Sequence, residues 1–277
     1  FNNTSNGVWT SGSTLVLQRS RLWANRRFGY YNSGSKGASL LNSTLWGNRL
    51  GAAWIDKSLS LYNSILCVTN GAPIFYENGS SANVQGDYNA YGFTNLATGH
   101  LISSNTGARV DYANLRAWQA KGRDAHSLVI DPLFVNPAAG NFHLQSRAGY
   151  WSNGVLAVSA DTSWAIDAGD PASAAYASEP PPNGGRLNLG VYGGSTNAAR
   201  SDTDNPALLA VSFRDGGIFS DGEPLYWAYR GILPTNTIRI DYSLDGGSSW
   251  TTAVSQIRVD SARFLSELTP YRKAAST

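Results

Sequence analysis

The chain has no methionine and one cysteine, Cys67, in 277 residues. A lone thiol excludes an internal disulfide, and neither C-x-x-C nor H-E-x-x-H occurs, which removes the commonest zinc signatures. Charged residues make up 14%, against about 25% in an average soluble domain, so few long charged helices fit. The net charge is +2 and no basic stripe dominates, which argues against nucleic acid as a general partner. No apolar run reaches the roughly 18 residues of a membrane-spanning helix. With no Met, and with Phe1-Asn2-Asn3 already inside a repeat register, the expectation is a fragment of a longer exported chain. Any signal peptide and any earlier coils would lie upstream.

What fills the chain is glycine (29 residues), aromatics (12%) and a repeat. Leu17 to Arg26, Leu40 to Arg49 and Leu61 to Asn70 superimpose on Ser20, Ser43 and Ser64, spaced by 23 and then 21 residues. A second landmark, Gly7-Val8-Trp9, Gly29-Tyr30-Tyr31, Gly51-Ala52-Ala53 and Gly71-Ala72-Pro73, repeats at 22, 22 and 20. Such a period means a solenoid. The apolar columns Leu15/Ala38/Leu59, Leu17/Leu40/Leu61 and Leu22/Leu45/Leu66 have a period of two, then a corner, which fits short strands and not helices. Arg19, Asn42 and Asn63 with the following serines mark one corner, since Asn and Ser tolerate tight bends. Gly29, Gly51 and Gly71 mark another, where positive φ is expected. The phrase of a leucine-rich repeat is absent. The fold class read from this pattern is all-β: a right-handed parallel β-helix followed by a partial antiparallel β-sandwich.

Trp23, Trp46 and Cys67 form a further column, as do Asn25, Asn48 and Thr69. These ladders hold coils together; alternatively Trp23 and Trp46 face outward as a platform for sugar rings.

After Asn83 come GDYNAYG, a short helical segment Leu115 to Ala120, GRDAHSLVIDPLFVNPAAGNFHLQ, AIDAGDP and EPPPNGGRLNLGVYGG. This phrase cluster, over about Ser13 to Gly194, resembles the closing coils and cap of secreted bacterial right-handed parallel β-helix proteins, the group with pectate-lyase-like and glycosidase-like members. The resemblance implies a carbohydrate-related role and a secreted or cell-surface setting, and says little about activity, because catalytic groups vary within the group. Glu179 to Arg186 is too rich in proline and glycine for regular structure and is expected to cross a surface before Leu187, Leu189, Val191 and Tyr192 form the last rung.

Ser201 to Pro206 reads as a solvated linker, dividing a β-helix region 1–200 from a partial immunoglobulin- or fibronectin-like sandwich, 207–277. Strands are expected at Ala207 to Phe213, Pro224 to Tyr229, Thr237 to Tyr242 and Trp250 to Val254. Ser243 to Trp250 matches the Asp-box phrase of sialidase-type propellers. Only one box is present, so it reads as a hairpin staple, with Asp245 bonding the turn and Trp250 packed beneath.

Candidate chemistry is sparse. His100, His126 and His143 lack metal-ligand spacing. Asp124 and His126, two apart, are either an acid/base pair or a loop brace. No cofactor is expected, although Asp202, Asp204 and Asn205 offer oxygens for Ca²⁺. Arg19, Arg21, Arg26, Arg27 and Arg49, with Asp56 and Lys57, are either a solvated face or a row of guanidinium forks for carboxylates. The expected substrate-binding set is Trp23, Arg26, Trp46, Arg49 and Asp56, with catalytic residues unassigned. The function expected is a polysaccharide lyase or glycoside hydrolase on acidic polysaccharide, or else a noncatalytic surface scaffold or carbohydrate-binding module joined to other domains of the same chain.

Overall fold

Three parallel sheets wind around one apolar interior in the computed structural model, which describes residues 1–34, 36–77, 83–93, 101–104, 111–152, 154–212, 224–261 and 263–265. Each coil visits the sheets in turn. The first coil runs β1 (Val8–Thr10), β2 (Leu15–Gln18), β3 (Arg21–Trp23), and the second β4 (Phe28–Asn32), β5 (Ala38–Leu41), β6 (Thr44–Trp46). The third is β7 (Gly51–Ile55), β8 (Ser58–Tyr62), β9 (Ile65–Val68), and the fourth β10 (Ala72–Tyr76), β11 (Asn83–Asp87), β12 (Ala90–Phe93). β13 (Ile102–Ser104) and β14 (Leu128–Val129) begin a fifth. The sheet orders are β1-β4-β7-β10-β13, β11-β8-β5-β2 and β14-β12-β9-β6-β3. The chain is thus an all-β solenoid, as its leucine columns require.

Those columns align as read. Ala38 pairs with Leu15 and Leu59, and Leu45 with Leu22 and Leu66. Leu40, Leu45, Leu61 and Leu66 are wholly buried, and truncating such a leucine to alanine costs about 2–5 kcal/mol. The fourth coil keeps the register despite its changed composition, with Val84 against Leu59 and Ala90 against Ile65.

The corners show why serine and asparagine recur. Arg19, Asn42, Asn63 and Tyr88 all have φ between 47° and 54°, a left-handed bend that short polar side chains ease. The next residue bonds up the stack: Ser20 N donates to Ser43 Oγ, Ser43 N to Ser64 Oγ, Ser64 N to Asn89 Oδ1 and Asn89 N to Ser127 Oγ, at 2.8–3.2 Å. A second ladder satisfies the other corner. Asn3 and Asn25 each donate through N and Nδ2 to the Oδ1 one coil on, at Asn25 and Asn48 respectively, and Asn48 Nδ2 reaches Leu22 O.

The glycine landmark needs correction. Phe28 pairs with Gly51 and Tyr30 with Ala53, so Gly29 lies opposite Ala52 and the register slides by one residue. Gly71 has φ +78°, as expected, but Gly29 serves by its size: a Cβ there would lie 2.8 Å from Asn48 Nδ2 and 2.9 Å from Ala52 O.

Beyond the fourth coil, α1 (Leu115–Gln119), capped by Asn114, buries Leu115 and Trp118. The expected last rung at Leu187–Tyr192 is not a strand. Two hairpins, β15 (Phe134–Asn136) with β16 (Asn141–Leu144) and β17 (Tyr150–Ser152) with β18 (Val155–Ala157), lead into a segment that runs back across the coils. Asp170 N donates to Asn63 Oδ1, Gly190 N to Asn63 O and Val191 N to Thr44 Oγ1. Arg19, on the first coil, donates to Gly194 O of this segment. Proline and glycine forbid this segment a rung of its own, so it spends its backbone donors on the corner residues of other coils.

The expected linker divides. Ser201 and Asp202 are buried, with Ser201 Oγ donating to Asp167 Oδ1 and Thr162 Oγ1 to Asp202 Oδ2; Thr203 to Pro206 are exposed. Small antiparallel sheets follow. β19 (Ala207–Ala210) and β23 (Arg263–Leu265) flank β20 (Pro224–Arg230), and β21 (Thr237–Tyr242) pairs with β22 (Thr251–Arg258). Phe213, the expected end of the first of these strands, lies outside the described residues. In the Asp-box, Asp245 accepts from Ser249 N and Oγ and from Ser243 Oγ, and these bonds hold its carboxyl down at about 2. Trp250 does not pack beneath the turn: it is 66% exposed and bonds Gly247 O through Nε1.

Candidate functional site

The strand β4 places Tyr30 inward and Tyr31 outward, as the period of two dictates. Its neighbours do the same, and the pairing Trp9–Tyr31–Trp54–Phe75 sets four aromatic residues on successive coils of the first sheet. Tyr31 and Trp54 stack with centroids 5.6 Å apart at 21°, and Trp54 and Phe75 at 6.0 Å and 18°. Buried Phe28 packs against Tyr31, Trp54 and Phe75 and holds the row in place. Trp9 is 66% exposed, its indole Nε1 donating to Ser33 Oγ at 2.8 Å. At about 4.8 Å per coil the row is about 14 Å long. Read with the one-residue slip, the sequence sets Tyr31 beside Ala53 and hides this row; the signal that could have found it is the aromatic pair Tyr31 and Trp54 spaced as Ser20 and Ser43 are.

The edge where the chain enters this sheet carries Arg26, Arg27 and Arg49, all exposed. Their backbone is fixed: Arg26 N donates to Asn3 O, Arg27 N to Ser5 O and Arg49 N to Asn25 O. Arg26 and Arg49 follow the buried Asn25 and Asn48 of the ladder, which places them in one column a coil apart. Among the described residues none of these guanidiniums has an acidic partner. Asp56 does not join them. It follows β7 at the opposite edge of the same sheet, about 20 Å from Arg49 along the strand. Arg19 and Arg21 are turned to other uses: Arg21 donates to Gly140 O and Tyr192 Oη and lies 5.7 Å from the Trp23 ring.

The third sheet holds the two tryptophans. Trp23 and Trp46 pair in register, yet Trp23 is covered: Phe1 stacks on it at 4.3 Å and 7°, and Phe142 meets it edge-on. Trp46 leans on Phe142 and lines an open groove.

Asp124 and His126 do not form an acid/base pair. Asp124 is buried, its Oδ1 accepting from Asn89 Nδ2 and Ser127 Oγ and its Oδ2 from Tyr91 Oη and Trp118 Nε1. Burial still holds its carboxyl above the ordinary range. His126 instead meets Asp87, Nδ1 to Oδ2 at 2.6 Å, and stacks on Tyr88 at 4.7 Å. His143 stacks on Tyr192 at 3.9 Å; burial, then the charge of Arg21, lowers its pKa to about 4, so it is neutral at pH 7. His100 lies outside the described residues. Of the expected calcium oxygens, those of Asp202 accept from Thr162 and Asn205. Among the described residues no group of three His, Cys, Asp or Glu side chains could hold a metal ion.

Compared with known proteins, the chain matches no family model, no curated protein and no solved structure.

Proposed function

We propose that this chain binds an acidic polysaccharide along the first sheet, with the aromatic row Trp9, Tyr31, Trp54 and Phe75 taking the apolar faces of the sugar rings and Arg26, Arg27 and Arg49 taking carboxylates. The observation that carries this reading is the arginine edge. Three like charges held on a rigid corner repel one another, and an anionic polymer relieves that repulsion with two-pronged hydrogen bonds. An exported or cell-surface setting goes with such a ligand. The double variant Arg26→Ala/Arg49→Ala is expected to weaken binding to a soluble polyuronate by tenfold or more, about 1.4 kcal/mol, and to flatten its salt dependence. Trp9→Ala is expected to weaken binding several-fold with thermal stability unchanged, because its ring is mostly in water. Isothermal titration against polyuronate and a neutral glucan checks both. Equal affinity for the two polymers, untouched by the arginine changes, would sink the reading.

A second reading, glycoside hydrolysis, has its own support. Ile55 pairs with Tyr76 and Glu77 N donates to Ile55 O at 2.9 Å, so Asp56 and Glu77 stand on neighbouring coils at the far edge of the row, about 4.8 Å apart along the stack. That figure is the backbone spacing of the coils; glycoside hydrolysis needs two carboxyl groups flanking the scissile bond, which residues on adjacent coils of one edge can supply. Reducing ends released by the parent and abolished by Asp56→Asn or Glu77→Gln would establish it; binding without release would leave the chain a binding module.

A further inference from the structure

The groove beside Trp46 differs in chemistry from the arginine-edged sheet. It measures about 870 Å³, near the upper end for small-ligand sites. Its floor is the outer face of the third sheet, where Trp46, Cys67 and Gly92 follow one another in register. One wall is the strand-to-turn segment Ile130 to Leu133, which crosses so close to Gly92 that a Cβ there would stand 3.1 Å from Ile130 O and 2.7 Å from Cys67 Sγ. The other is Trp164. Arg230, anchored on Thr162 O, lies 4.3 Å from the Trp164 ring and fixes its position.

Four features define what fits. Trp46, Phe93, Phe134 and Trp164 supply aromatic lining. Asp131 spends Oδ1 on Leu133 N at 2.9 Å, and Gln145 spends Nε2 on Phe134 O at 3.2 Å. Each therefore keeps one oxygen, Asp131 Oδ2 and Gln145 Oε1, with no hydrogen bond among the described residues. Among the described residues neither lysine nor arginine is in the lining. Cys67, its thiol pushed up by burial and then by the charge of Asp131, adds no anion of its own.

We infer that this groove is a second site, for a neutral oligosaccharide. Sugar rings offer apolar C–H faces to tryptophan and hydroxyl donors to the two acceptors. A uronate would meet the Asp131 carboxylate, while the one guanidinium described against the groove wall, that of Arg230, is engaged with the Trp164 ring and Thr162 O. The site is independent of the binding proposed for the first sheet, since it stands on another sheet and takes an uncharged ligand in place of an anionic one.

The test uses the whole chain and a panel of neutral hexasaccharides from glucan, mannan and xylan, followed by the indole Nε1–H resonances of Trp46 and Trp164 and by titration calorimetry. One of the panel is expected to shift both indoles and saturate, with affinity insensitive to salt. Gln145→Ala and Asp131→Ala, each checked for an unchanged near-ultraviolet circular dichroism spectrum, are expected to lower that affinity tenfold or more. Arg26→Ala/Arg49→Ala is expected to leave it unchanged, so loss of polyuronate binding and loss of this site are read separately. The inference is overturned if no neutral oligosaccharide shifts the two indoles, if a quaternary ammonium probe saturates the groove instead, or if the two acceptor variants bind as the parent does.

Discussion

Replacing Asp124 by alanine is expected to cost about 4 kcal/mol, because four buried donors then lose their acceptor together. The carboxylate joins Trp118 of α1, Tyr91 and Asn89 of the fourth coil and Ser127 at the entrance to β14. Its removal detaches the helix and the last rung at once. Asp124→Asn is expected to do nearly as badly, since an amide NH₂ would face the Trp118 indole N–H, which only donates, or the Asn89 amide, whose flip would strip Ser64 N and Leu61 O of their partner. Urea denaturation measures the loss, and amide exchange at Leu128 localises it. A variant that keeps the parent midpoint would show that the four donors find other partners.

Glu179→Gln is expected to act in the opposite direction and only at higher pH. Glu179 is 3% exposed, with Oε1 accepting from Asn188 N at 2.9 Å and Gly194 N at 2.7 Å and Oε2 buried with no hydrogen-bond partner among the described residues. Burial lifts its pKa from 4.5 to about 8 against the pull of those two amides and of Arg19, while nearby Asp167 pushes the same way as burial. Between those two values the unfolded chain has released the proton and the folded chain still holds it. Stability therefore falls as pH rises from about 4.5 to about 8 and levels off above, a loss of roughly 5 kcal/mol. Glutamine mimics the protonated acid without titrating. The variant is expected to match the parent near pH 4.5 and to exceed it by a few kcal/mol at pH 8.5. Asp124, whose carboxyl is also raised, titrates in both proteins and cancels in the difference between the two curves, which reports Glu179 together with its coupling to Asp167. Parallel curves would refute this assignment of the pH dependence.

The solenoid was legible because its cause is local. Leu17/Leu40/Leu61 and Ser20/Ser43/Ser64 repeat at the coil length, and both columns stand where the spacing placed them. The aromatic row was missed for an equally local reason: the coil lengths of the two landmarks differ by one residue at Gly29, and in a strand one residue exchanges the inner and outer faces. Trp23 and Trp46 look alike in sequence, but Phe1 and Phe142 arrive from elsewhere to cover the first and leave the second beside a groove. Nor can spacing reveal Trp164 or Asp131 as groove walls, since Asp131 follows β14 and Trp164 follows β18 in irregular segments that have no repeat. The helical segment, the strands of the final sheets and the Asp-box turn were readable from short-range signals. The burial of Ser201 and Asp202 was not, because it depends on Thr162 and Asp167, residues distant along the chain.

That return path changes how the molecule unfolds. A plain stack of coils touches only its nearest neighbours, and its stability is a sum of repeat and interface terms that lets the ends fray independently. Here residues 170–194 bind the first, second and third coils, with Arg19 and Gly194 separated by 175 positions. Opening the first coil therefore strips contacts from the far end of the chain. Melting is expected to be a single cooperative step, and cutting the return segment should convert it into stepwise fraying from the ends.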